Sequence, residues 1–299
     1  MTIPGDLPIE PRGALLITTD SSGQVVNFEL ICVLSVDDYT RYTQAHKQIS
    51  GLLFGSIYTY FASSKSLLRS AVMAANQAAD AGMIQPNSAP YTFATWLTSL
   101  RAAALSLCSS VAYHQDQMLR RIEKAYGEDS TTYSQVAGQF HELYDGYPGY
   151  RFLCRLRNVM VHESMEAVTA AVKRISVGGH IQSRFRVTID RSFIAQSDMK
   201  KAVKAEIVAL RENPDLLDLA DAITEPLATV NTAIETLLLD NMSSAFQAVA
   251  EFDDLFGGRP GLRAIANSPD DGPGPHVPAY MPWSQQVIDI ARGRLQSRP

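Results

Sequence analysis

Residues 97–111 read Leu97-Thr98-Ser99-Leu100-Arg101-Ala102-Ala103-Ala104-Leu105-Ser106-Leu107-Cys108-Ser109-Ser110-Val111, and this run decides the fold class. Leu97, Leu100, Ala104, Leu107 and Val111 recur every three or four positions, the spacing of one buried stripe on an α-helix. The periodicity extends outward to about 91–126, where Gly127 supplies a stop. Downstream, helices are expected at about 130–144, 150–176, 198–212 and 215–256, the last with a break at Pro226. Upstream, Ser35 followed three positions on by Asp38 reads as a helix N-cap, and helical sequence continues to about Ala81.

Two regions change period. Residues 13–19 and 24–34 are β-rich and flank Asp20-Ser21-Ser22-Gly23, a hairpin signal. At 180–191, Ile181, Phe185, Val187 and Ile189 alternate with Arg184, Arg186, Thr188 and Asp190, as in a half-buried strand that pairs with the N-terminal hairpin. The expected fold is mainly α: an antiparallel helical bundle with a small antiparallel sheet from the N-terminal hairpin and residues 180–195. Residues 1–256 read as a single helical domain and 257–282 as a Gly/Pro-rich linker. Residues 283–299 read as a C-terminal amphipathic helix, separable from the rest, with Val287, Ile288, Ile290, Ala291 and Leu295 as its apolar face. The three prolines within 1–12 suggest a mobile or surface-laid arm.

Composition narrows the function classes. A net charge of −5 argues against bulk electrostatic binding to DNA while leaving room for a local basic groove. Cys32, Cys108 and Cys154 are odd in number and far apart, as expected of reduced thiols in a cytoplasmic protein. The N-terminus lacks a basic, then apolar, leader pattern, and residues 48–64 are too short and polar for a membrane span, so no membrane role is expected. His141, Glu142 and Asp145, or His114 with Asp116, do not complete a metal-ligand set, so no metal and no cofactor is expected. Gly257-Gly258-Arg259-Pro260-Gly261 lacks the Lys-Ser/Thr of a phosphate-binding P-loop.

The residues that carry chemistry are Arg157-Asn158-Val159-Met160-Val161-His162. They place a permanent cation, a side-chain amide and an imidazole within six positions of an amphipathic helix. At about 100° per residue, Arg151, Arg155, Asn158 and His162 fall in one stripe, opposite Phe152, Leu153, Leu156 and Val159. Arg157 then lies about 140° from His162, so the two do not meet on one straight helix. The spacing of Arg, four to six residues, then His also occurs at Arg41–His46 and Arg174–His180. The first has Tyr42 after its Arg, and the second crosses Gly178-Gly179. Arg184 and Arg186, on one face of the 180–191 strand, would extend a phosphate track if that face meets nucleic acid.

Arg157, four intervening residues and His162, with Asn158 directly after the Arg, resemble the motif of HEPN domains, a superfamily of helical domains in prokaryotic defence and toxin systems. The resemblance in specific residues covers about 150–164, and the helical pattern over 36–256 is compatible with a HEPN-like bundle. It implies a metal-independent endoribonuclease, acting as a toxin or phage-defence effector and cleaving RNA to a 2′,3′-cyclic phosphate. Arg157, Asn158 and His162 would be catalytic, with Arg151, Arg155, Arg184 and Arg186 as weaker RNA-binding candidates. It also implies a homodimer whose motif residues converge across the interface, with an antitoxin or regulatory protein as a further partner. A kinked helix would be another way to bring Arg157 and His162 together. The alternative is a catalytically silent HEPN-like module that binds RNA or a protein. In the plainest reading Arg157 pairs with Glu163 or Glu166 and His162 is a surface residue.

Overall fold

The computed structural model describes residues 12–84, 90–177, 180–267 and 279–297. In chain order these form β1 (Arg12–Thr19), β2 (Val25–Val33), α1 (Val36–Leu53), α2 (Tyr58–Asp80), α3 (Pro90–Tyr126), α4 (Thr131–Gly146) and α5 (Pro148–His162). A 3-10 turn (Met165–Ala167) leads into β3 (Val168–Val177) and β4 (His180–Ile189). Then come α6 (Arg191–Gln196), α7 (Lys201–Ala209), α8 (Leu216–Asp240), α9 (Ser243–Asp254), β5 (Leu262–Asn267), β6 (Ala279–Pro282) and α10 (Gln285–Gln296). The protein is mainly helical with a minor antiparallel β component, as the sequence leads one to expect.

The chain divides into two compact units, which does not follow the expected boundary at 256/257. One unit combines Met1–Ser56 with Leu239–Pro299, and the other is the intervening Ile57–Leu238. In the first, the sheet runs β2-β1-β5-β6, all antiparallel. The period-two alternation of β1 serves two cores. Ala14 and Leu16 face a cluster with Tyr42 and Ile49 of α1, Phe246, Val249 and Phe252 of α9, and Val287, Ile288 and Ala291 of α10. Leu15 and Ile17 face Ala264 and Ala266. The expected N-cap is present: Ser35 Oγ accepts from the Asp38 amide at 3.0 Å and donates to its carboxylate at 2.7 Å.

The linker and separable-helix expectations are therefore corrected. Part of 257–282 forms β5 and β6, with β5 hydrogen-bonded to β1; residues 268–278 lie outside the described residues. α10 belongs to the core of the first unit. The Asp253 carboxylate, 7% exposed, accepts from Arg263 of β5 at 2.9 Å and from Arg292 of α10 at 2.7 Å, tying three elements together. The expected N-terminal arm lies almost entirely outside the described residues.

In the second unit α3 packs against α2, α4 and α5. Its buried stripe is Leu100, Ala103, Ala104, Leu107, Cys108, Val111, His114, Met118 and Ile122, the periodicity visible in sequence. α8 continues through Pro226, and its break falls after Asp240. Ile223, Leu227, Asn231, Ile234 and Leu238 keep one buried face through the proline, so packing outweighs the lost backbone bond. Two expectations fail here. The motif helix ends at His162 and not near 176, because Val168, Thr169, Val172, Ile175 and Val177, all β-branched, are drawn into β3. β4 pairs with β3 and not with the N-terminal hairpin, so the β residues form two sheets. The expected stop at Gly178-Gly179 lies outside the described residues.

Candidate active site

α5 begins with Pro148 in its first turn, where a missing N–H costs nothing. Gly149 follows because a Cβ there would stand 2.6 Å from the Leu219 carbonyl oxygen, and its absence lets α5 close on α8. Tyr150, Phe152, Leu153, Leu156, Val159 and Met160 are buried. Tyr150 donates its hydroxyl to Gln115 Oε1 at 3.0 Å, and burial pushes the neighbouring Cys154 thiol up to about 12. The opposite face carries the expected stripe, half-buried at Arg151 and Arg155 and exposed at Asn158 and His162.

The two ends of this stripe differ. Arg151 donates to Glu206 through Nε (2.8 Å) and a terminal nitrogen (2.6 Å), and its other terminal nitrogen caps the α4 carbonyls of Tyr144 and Asp145 at 3.2 and 3.1 Å. Arg155 donates to the Tyr144 hydroxyl at 2.8 Å and lies over its ring at 5.4 Å. Arg151 is ion-paired within the fold, whereas the partners recorded for Arg155 among the described residues, the Tyr144 hydroxyl and ring, are neutral. Arg157, by contrast, donates to Asn158 Oδ1 at 3.1 Å. It forms no ion pair with Glu163 or Glu166; the Glu163 carboxylate instead accepts from the Asp198 amide at 3.1 Å. His162 closes the helix, exposed, where a cation suits the helix dipole, and no hydrogen-bond partner is recorded for its ring among the described residues.

Arg157 and Asn158 are thus brought together, whereas Arg157 and His162 remain on different sides of an uninterrupted α5, so no kink joins them. Arg186 is engaged by Asp215 at 3.1 Å, Glu212 at 3.5 Å and Asp218 at 3.6 Å. Arg184 is exposed and pairs in register with Lys173 across the hairpin. The partners Glu206, Tyr144 and Asp215 were missed in sequence because they lie 11 to 55 positions from the arginines they hold.

The competing matches have other fates. Arg41 ion-pairs with Glu251 and Asp38, and His46 is buried against Trp283. Arg174 and His180 sit on separate strands. His114 is buried with Nε2 3.1 Å from Asn231 Oδ1, while Asp116 is exposed, so the two do not converge. His141, Glu142 and Asp145 are all exposed. Among the described residues no three His, Cys, Asp or Glu side chains gather as a metal site, and no helix is long and apolar enough to cross a membrane. Compared with protein-family models, curated proteins and solved structures, the chain matches none.

Proposed function

We propose that the protein is a HEPN-type endoribonuclease, with a HEPN-like bundle in the Ile57–Leu238 unit and a site at Arg157, Asn158 and His162. One observation carries this reading: near the end of α5, half-buried Arg157 and exposed His162 have no acidic partner recorded among the described residues, while Arg151 on the same helix is ion-paired with Glu206. In RNA the 2′-oxygen attacks phosphorus, the 5′-oxygen leaves, and a 2′,3′-cyclic phosphate remains. His162 takes the 2′-hydroxyl proton or returns one to the leaving oxygen. Arg157, oriented by Asn158, neutralises charge developing on the non-bridging oxygens. Cleavage proceeds without metal in the cytoplasm, as a toxin or defence effector restrained by an antitoxin or regulatory protein. Because Arg157 and His162 of one α5 point apart, the complete site is assembled from two copies of the chain. Incubating purified protein with single-stranded RNA, with and without EDTA, tests this. Cyclic-phosphate products in both samples support it; EDTA inhibition or absence of cleavage contradicts it. The same divergence of Arg157 and His162 favours, as the second reading, a silent RNA- or protein-binding module.

A further inference from the structure

The β3–β4 hairpin has two edges, and they are treated differently. On β4, the Ser183 amide donates to Asp80 Oδ1 and the Phe185 amide to Asn76 Oδ1, each at 2.6 Å, while the Ile189 amide donates to the Pro214 carbonyl at 3.0 Å. Side chains of α2 thus stand in for a missing strand. Those three amides point away from β3, so their register partners Arg174, Val172 and Val168 are also in non-hydrogen-bonded pairs. By the same alternation, the backbone N–H and C=O groups of Ala170, Val172, Arg174 and Ser176 point outward from β3. The Val168 carbonyl does the same and is met by Arg101 Nε at 2.8 Å. For the next four outward positions no partner is recorded among the described residues.

Charge selects the occupant. Lys173, exposed on β3, stands opposite Arg184, and no carboxylate lies in salt-bridge range of either among the described residues. Like charges directly opposite are unfavourable, and an added strand would place its own side chain beside Lys173. A second copy of β3 paired antiparallel about Val172 would put Ala171 there and draw two Lys173–Arg184 pairs together. A partner with a carboxylate at that position instead relieves the repulsion. On the other face Ala170 and Val172 are half-buried beside buried Phe185 and Val187, which suits apolar residues at alternate positions.

We propose that the open edge of β3 is a docking site for an extended segment of a partner protein, alternating acidic and apolar residues, that adds as a third strand. The main chain supplies affinity and the alternating side chains supply register. A fluorescein-labelled nonapeptide, Thr-Val-Glu-Val-Glu-Val-Glu-Val-Thr, is titrated into the full-length protein and followed by anisotropy and amide hydrogen exchange. Binding is expected, with new protection at Ala170, Val172, Arg174 and Ser176. Val172→Pro, which removes an outward N–H and no bond to β4, should abolish binding. Lys173→Glu should weaken it about fivefold and favour the Lys-for-Glu peptide. Absence of binding, equal binding by both variants, or protection elsewhere overturns the proposal. So does concentration-dependent self-association through the same edge, or binding of an RNA oligonucleotide but not the peptide at Lys173 and Arg184.

Discussion

On α1, Arg41 reaches Glu251 and Asp38 and lies over the Tyr42 ring at 4.7 Å, and five positions later His46 is 6% exposed, stacked on Trp283 at 4.7 Å. On α5, the one partner recorded for Arg157 among the described residues is Asn158, and five positions later His162 is exposed. The spacing is the same and the availability is opposite. α1 buries Tyr42, Ala45, His46, Ile49 and Leu52 against β1, α9 and α10, so its imidazole falls inside the packed stripe. α5 buries Phe152, Leu153, Leu156, Val159 and Met160, and His162 falls outside that stripe. The exposure of such an Arg–His pair therefore follows from its phase on the helix, and its spacing alone does not set it.

The comparison breaks most severely if the elements covering α1 are removed. Truncation after residue 258 deletes β5, β6, Trp283 and α10, and with them the cover over His46. The truncated chain should lose cooperative unfolding of this unit and become insoluble, or show greatly reduced near-ultraviolet dichroism. A soluble fragment with an unchanged melting temperature would show that α1 needs none of this cover.

A finer cut replaces the imidazoles themselves. His46→Ala leaves a cavity against Trp283 and should lower stability by about 2–4 kcal/mol in urea unfolding. His162→Ala, at an exposed helix end, should stay within about 0.5 kcal/mol of wild type. Equal losses would erase the distinction between the two sites.

Proton linkage gives the gentlest probe. Burial pushes His46 and His114 down to about 4 from 6.5, and each folded imidazole resists protonation. Between those values the unfolded chain binds more protons, so their contribution is complete above about 6.5 and declines as pH falls toward 4. Urea midpoints from pH 7 to 4 should show this decline, and His46→Gln should flatten it. A slope unaffected by that substitution would place His46 in water.

How much of this could be read in sequence depends on the range of the interaction concerned. The α3 stripe, the Ser35 cap and the polar face of α5 rest on residues three or four apart, and these were legible. The end of α5 was not, because 163–176 carries both a helical period and a β-branched run, and pairing with β4 decides between them. The β1–β5 pairing joins residues some 250 positions apart, and nothing local in the Gly/Pro-rich stretch records it. At the candidate site, type and phase single out Arg157, Asn158 and His162, which lie in the last two turns of α5. That Arg151 and Arg155 are occupied was invisible, since Glu206 and Tyr144 arrive only through tertiary packing.

The most direct measurement compares RNA cleavage by wild type, His162→Ala and His46→Gln, purified identically and assayed in EDTA. The account predicts a fall of roughly 10²–10⁴ for His162→Ala, with an unchanged melting temperature, and near-wild-type cleavage for His46→Gln. Full activity in His162→Ala would contradict it.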